Sequence, residues 1–153
     1  MEIPVYVTME EVQRVCRALN IRDWTAPGEK GVLPEEARAI LAEIDTDGLQ
    51  IDPENFRRGL EVELEHGIRF ASANVTNNHP ILTGKIVLAH LKETLDYYDR
   101  LEVAELEGDL MKAAIAGNSE KLLGLFKKLL LAKHALTTVE SAQLGAGSAG
   151  PPA

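Results

Sequence analysis

The sequence predicts an all-α fold, a small helical bundle, and three observations carry that expectation. Apolar residues recur at three- and four-residue spacing through most of the chain, the period of helices that turn one face to a core. Pro34, Pro53 and Pro80 each open such a stretch, where a proline's missing N–H is harmless. Leu, Ala and Glu abound while aromatics make up only 5% of the residues, and no strand–helix–strand alternation appears.

The elements follow in order. MEIPVYV, residues 1–7, reads as a short strand or extended arm. Thr8-Met9-Glu10-Glu11 has the form of a capping box, and Val12, Val15, Cys16 and Leu19 then mark a helix over about 9–19. RDWTAPGEKG is a loop by its Pro and Gly content. Pro34 begins a second helix with Ala37, Ile40, Leu41 and Ile44 on one face, ended by DTDG at 45–48. Asp52-Pro53-Glu54 supplies a cap, a first-turn proline and an acid at the positive end of the dipole. That third helix should run to about His66, with Gly67 as its terminator.

After the polar stretch IRFASANVTNNH, Pro80 starts what reads as one long helix over about 80–107. Ile81, Gly84, Leu88, Leu91, Leu95 and Tyr98 form its packing seam, and Gly84 there implies close backbone approach. Asp109–Ala116 reads as a short helix. Ser119 caps a last one, with Leu122, Leu125, Phe126, Leu129 and Leu136 on one side. One helical domain is expected over 1–138, with the Gly/Ala/Pro-rich stretch 139–153 as a flexible tail.

Composition narrows the partners. A net charge of −8 speaks against a nucleic-acid backbone, whose phosphates call for a surplus of Lys and Arg, and suits attraction of cations. A single cysteine, Cys16, forms no internal disulfide and is read as core. With no signal peptide and no span-length apolar run, the expectation is a cytoplasmic protein, or one held in a virion or other assembly built there.

The chemistry lies in VELEHG, residues 62–67. Counted from Phe56 at 100° per residue, Leu60 lies at about 40° and Glu63 at about −20°, so Glu63 shares the apolar face; Glu65, near 180°, does not. A carboxylate drawn from water must be protonated, paired or metal-bound. The next long helix carries His90-x-x-Glu93, the reverse of Glu63-x-x-His66. On antiparallel helices those four side chains can meet at one point, the kind of donor set that holds iron, zinc or manganese in helical bundles. Glu63, His66, His90 and Glu93 are therefore the expected metal ligands, with Tyr97 and Lys85 around them. A second copy of the chain could complete a two-metal set, so a homodimer or larger homo-oligomer is expected. The alternative is a buried polar network in a non-catalytic structural or adaptor protein. In that network Glu63 pairs with Arg57, Arg58, Lys85 or His90.

GLEVELEHG (59–67) and NVTNNHPILTGKIVLAHLKETLDYYDRLE (74–102) resemble a family of small uncharacterised proteins of bacteria and their phages. Its members share a pattern close to GLEVELEHG, NVTNDDP, LTGKIALAHLNE and DYY-x-RLE. The resemblance is strong over the middle third of the chain and weak over the N-terminal helices. It implies relatedness, not activity; in the structural or adaptor alternative the protein would belong to a phage head or another cytoplasmic assembly. Two departures stand out. Asn78-His79 replaces a pair of acids, which makes His79 a candidate additional ligand. Thr94-Leu95 replaces an apolar-Pro pair.

Two weaker signals remain. EIDTDGLQIDPE (43–54) has some acids of a calcium-binding loop, but Gln50 stands where an aliphatic residue belongs, and a helix-ending turn is the better account. LLGLFKKLLLAKHAL (122–136) is basic and amphipathic. Lys133 within its apolar stripe favours docking of the 119–136 helix on protein over binding to a membrane. Nothing in the chain demands an enzyme.

Overall fold

The structure is a computed structural model that describes residues 7–26 and 31–147. It is all-helical: α1 (Met9–Ala18), α2 (Pro34–Ala42), α3 (Pro53–Arg69), a 3-10 turn (Ala71–Ala73), α4 (Pro80–Glu93), α5 (Tyr97–Ile115) and α6 (Ser119–Gly147). No strand occurs among the described residues. The arm expected at 1–7 lies, except for Val7, outside them. The chain divides into two compact units, residues 1–95 and 96–153.

In the first unit the helix starts are those the sequence marks. Thr8 Oγ1 accepts from the Glu11 N–H at 3.2 Å, while the Glu11 carboxylate takes a two-pronged bond from Arg14 instead of reaching back. Asp52 accepts from the Asn55 N–H at 2.8 Å, with Pro53 in the first turn. The core joins Val12 and Cys16 of α1, Trp24, Ile40 of α2, Phe56 and Leu60 of α3, and Val87 and Leu91 of α4, each at most 2% exposed. Gly84 lets α2 approach α4: a Cβ there would stand 2.5 Å from Ile44 Cδ1 and 2.7 Å from Ile40 Cγ2. Asp45 accepts from the Asp47 N–H in the turn at 45–48, where Asp47 and Gly48 take positive φ and Asp47 pairs with Lys92. That acid cluster therefore closes a helix end.

The third helix passes its expected end. It continues through Gly67 to Arg69, and the Phe70 N–H closes on the His66 carbonyl at 2.9 Å. Gly67 is small because the following loop folds back on it. A Cβ there would lie 2.4 Å from Asn78 Oδ1, and Asn74 donates to both the Gly67 carbonyl and Asn78 Oδ1.

The expected long helix over 80–107 is two helices. Thr94 is extended (φ −160°, ψ 139°), and the chain restarts at Tyr97. Two polar bonds fix the break: Asn55 Nδ2 donates to the Leu95 carbonyl at 2.7 Å, and the buried Asp96 carboxylate holds Arg100 at 2.8 Å. A carboxylate out of water at a helix start, paired to a base one turn on, stabilises the restart.

In the second unit α5 runs through Gly108 and absorbs the short helix expected at 109–116; Gly117, at φ 65°, ends it. The Asn118 carboxamide, not Ser119, caps α6 by accepting from the Lys121 N–H at 3.0 Å. Ala113, Leu125, Leu129 and Ala132 are buried, and Arg100–Glu140 (2.8 Å) and Lys133–Glu107 (2.7 Å) tie α5 to α6. Residues 139–147, expected to belong to the tail, continue α6 to Gly147; residues 148–153 lie outside the described residues. Among the described residues no helix is long and apolar enough to cross a membrane.

Candidate functional site

Helices α3 and α4 run antiparallel: Asn55 meets Leu95, Glu63 meets His90, and His66 shares a cleft with Ile86. This places the centre of α3 opposite the last two turns of α4. The apolar stripe Phe56, Gly59, Leu60 and Leu64 fills the space between them. Glu63 stands at the edge of that stripe, its side chain 15% exposed, and so is less enclosed than its helical position alone implies.

Two imidazoles flank its carboxylate. His90 Nε2 of α4 lies 3.6 Å from Glu63 Oε1, and His66 Nδ1, one turn along α3, lies 4.0 Å from Oε2. Both separations exceed a direct hydrogen bond. Exposure rises from Glu63 through His90 to His66, whose side chain is 47% exposed, so the cluster opens to solvent on the His66 side. There, a cleft of about 210 Å³ is lined by Glu63, His66, Phe70, Ile86 and the loop at 73–76.

The other expected members are placed differently. Glu93 is exposed at the end of α4, and Lys85 is exposed on its outer side. Tyr97 is the first residue of α5, beyond the break, and does not continue the turn after Glu93. His79 serves as the N-cap of α4: its Nδ1 accepts from the Leu82 N–H at 3.4 Å, and its Nε2 lies 4.0 Å from Glu11 on α1. Burial holds the His79 imidazole below its usual pKa, against the opposite pull of Glu11. Among the described residues, no three His, Cys, Asp or Glu side chains are close enough to cage an ion as they stand.

A second carboxylate is buried more deeply, and the sequence did not mark it. Glu36 of α2 is 1% exposed and accepts from Arg22 Nε (2.8 Å), from its terminal nitrogen (2.6 Å) and from the Leu33 N–H (2.9 Å). Burial raises its pKa, but these bonds outweigh burial and hold the carboxyl below the usual glutamate range. Glu36 thus joins the loop before α2 to the helix, a structural task.

The fold and the flanked carboxylate describe an all-helical protein with a Glu–His cluster bridging two antiparallel helices. Residues 12–107 match the family described as "Protein of unknown function (DUF5661)", and the chain belongs to it. No curated protein and no solved structure matches the chain.

Proposed function

We propose that the protein binds a transition-metal ion, iron, zinc or manganese, through Glu63, His66 and His90. The observation that supports this most is the spacing around Glu63. At 3.6 and 4.0 Å, its oxygens and the imidazole nitrogens are too far apart for hydrogen bonds. They lie near the ~3.4 Å that separates two ligands on a tetrahedral ion with bonds of about 2.1 Å. Binding requires side-chain rotations that bring the three donors onto one centre, since they do not cage an ion as they stand. Two imidazoles and one carboxylate leave coordination positions open toward the cleft, as in sites where a metal also takes water or a small molecule. The chain's negative charge raises the local concentration of cations.

In a second reading the protein is a non-catalytic structural or adaptor component, and the same three side chains form a polar clasp that fixes α3 against α4. Its support is that Glu63 already reaches across the helix pair to His90.

Elemental analysis of protein purified without added metal separates the two. The metal reading expects near-stoichiometric iron, zinc or manganese, lost in Glu63→Gln and kept in Glu93→Gln. Metal-free protein that melts at the same temperature in chelator and in added zinc or manganese would refute it.

A further inference from the structure

The α5–α6 hairpin leaves much apolar surface uncovered. On α6, Leu123, Phe126 and Leu130 follow at three and four residues and are 59%, 51% and 53% exposed. They lie about 100° round the helix from Leu125 and Leu129, which pack within the hairpin. On α5, Met111 and Ile115 are 63% and 80% exposed. They continue the same spacing from Gly108, on the side of α5 about 160° away from the buried Ala113. Two 3–4 seams on separate helices, each turned to solvent, are the pattern by which helices pack on further helices. Gly108 adds an independent observation. It sits inside a helix, where glycine costs about 1 kcal/mol relative to alanine, and nothing lies within 4 Å of where its Cβ would be. No residue of its own hairpin requires it to be small.

We infer that this hairpin is a self-association surface, on which a second copy of the chain docks with α6 against the partner's α5. Charge selects that occupant. Helix α5 carries five acidic against two basic residues, and α6 carries four lysines against two glutamates. Pairing α6 with α6 brings like charges together, whereas α6 on the partner's α5 opposes them. A two-fold axis then makes that contact twice. The area also suffices. Five side chains each expose on the order of 100 Å², so a symmetric pair removes about 1,000 Å² from water, the lower limit for a specific interface. In that contact Gly108 leaves room for the partner's larger side chains. This inference is independent of the metal proposal.

Sedimentation equilibrium of the full chain tests it. A dimer is expected at protein concentrations on the order of 100 µM, weakening with added salt. Phe126→Asp and Ile115→Asp, on different helices, should each raise the dimer Kd by roughly 30-fold or more with helicity retained. Ile68→Asp, as exposed as Phe126 (52% against 51%) but in the first unit, should leave it unchanged. A chain that is monomeric at that concentration, or a dimer indifferent to both hairpin substitutions, overturns the inference, and in the monomeric case a different protein covers the seams.

Discussion

Among the carboxylates withdrawn from water, Glu36 and Glu63 are handled in opposite ways. Glu36 is held by charge-assisted bonds of 2.6 to 2.8 Å from Arg22, whereas Glu63 stands 3.6 and 4.0 Å from its imidazoles. The first arrangement is a set of direct hydrogen bonds, whereas in the second the three side chains stand at wider separations. Glu36→Gln should destabilise the protein by about 2 kcal/mol, since Arg22 loses its anion and Leu33 its strongest acceptor. The pH dependence has a definite sign. Because the folded-state carboxyl lies below its unfolded value, its contribution is present above the unfolded pKa and fades as pH falls through the folded one. Denaturant melts of wild type and Glu36→Gln should therefore converge in acid; curves separated equally at all pH values would contradict this. Glu63 could be found from helical periodicity because its neighbours on the face lie within its own helix. Glu36 could not. It follows Pro34 as a first-turn acid, which is ordinarily solvated, and its partner lies fourteen residues earlier in a loop.

At the scale of elements, the starts of the first four helices were legible, while the end of α3 and the break after α4 were not. Thr8, Asp52, Pro53 and Pro80 act locally, so the sequence reveals them. The end of α3 depends on Asn74 and Asn78 folding back onto Gly67, and the break at 94–96 depends on Asn55 reaching Leu95. Asn74 lies seven residues from Gly67 across an irregular loop and Asn55 forty residues from Leu95, so helical periodicity reads neither contact. The extended backbone at Thr94 is the conformation required before a proline. Leu95→Pro is thus expected to change stability by less than about 1 kcal/mol, against ~3 kcal/mol or more for proline inside a continuous helix. A melt in which it lowers stability by the larger amount would argue for an unbroken helix.

For the molecule as a whole, the family match ends at residue 107, inside α5, so α6 lies beyond it. The Glu63, His66 and His90 cluster falls within the matched segment, while the seams assigned to self-association lie wholly beyond it. The all-helical class was legible because amphipathic spacing is a property of every stretch at once. The composition of the cluster was legible only in part: periodicity brought α3 against α4, but Glu93 faces water and His79 is used as a cap. The most direct measurement is the imidazole NMR spectrum during titration with zinc. The chain has four histidines, so His79 and His134 serve as internal references. The account predicts that the His66 and His90 resonances move together to an endpoint near one equivalent, and that Glu63→Gln abolishes the shift. Resonances of His66 and His90 that stay in place, or that respond identically in Glu63→Gln, would contradict it.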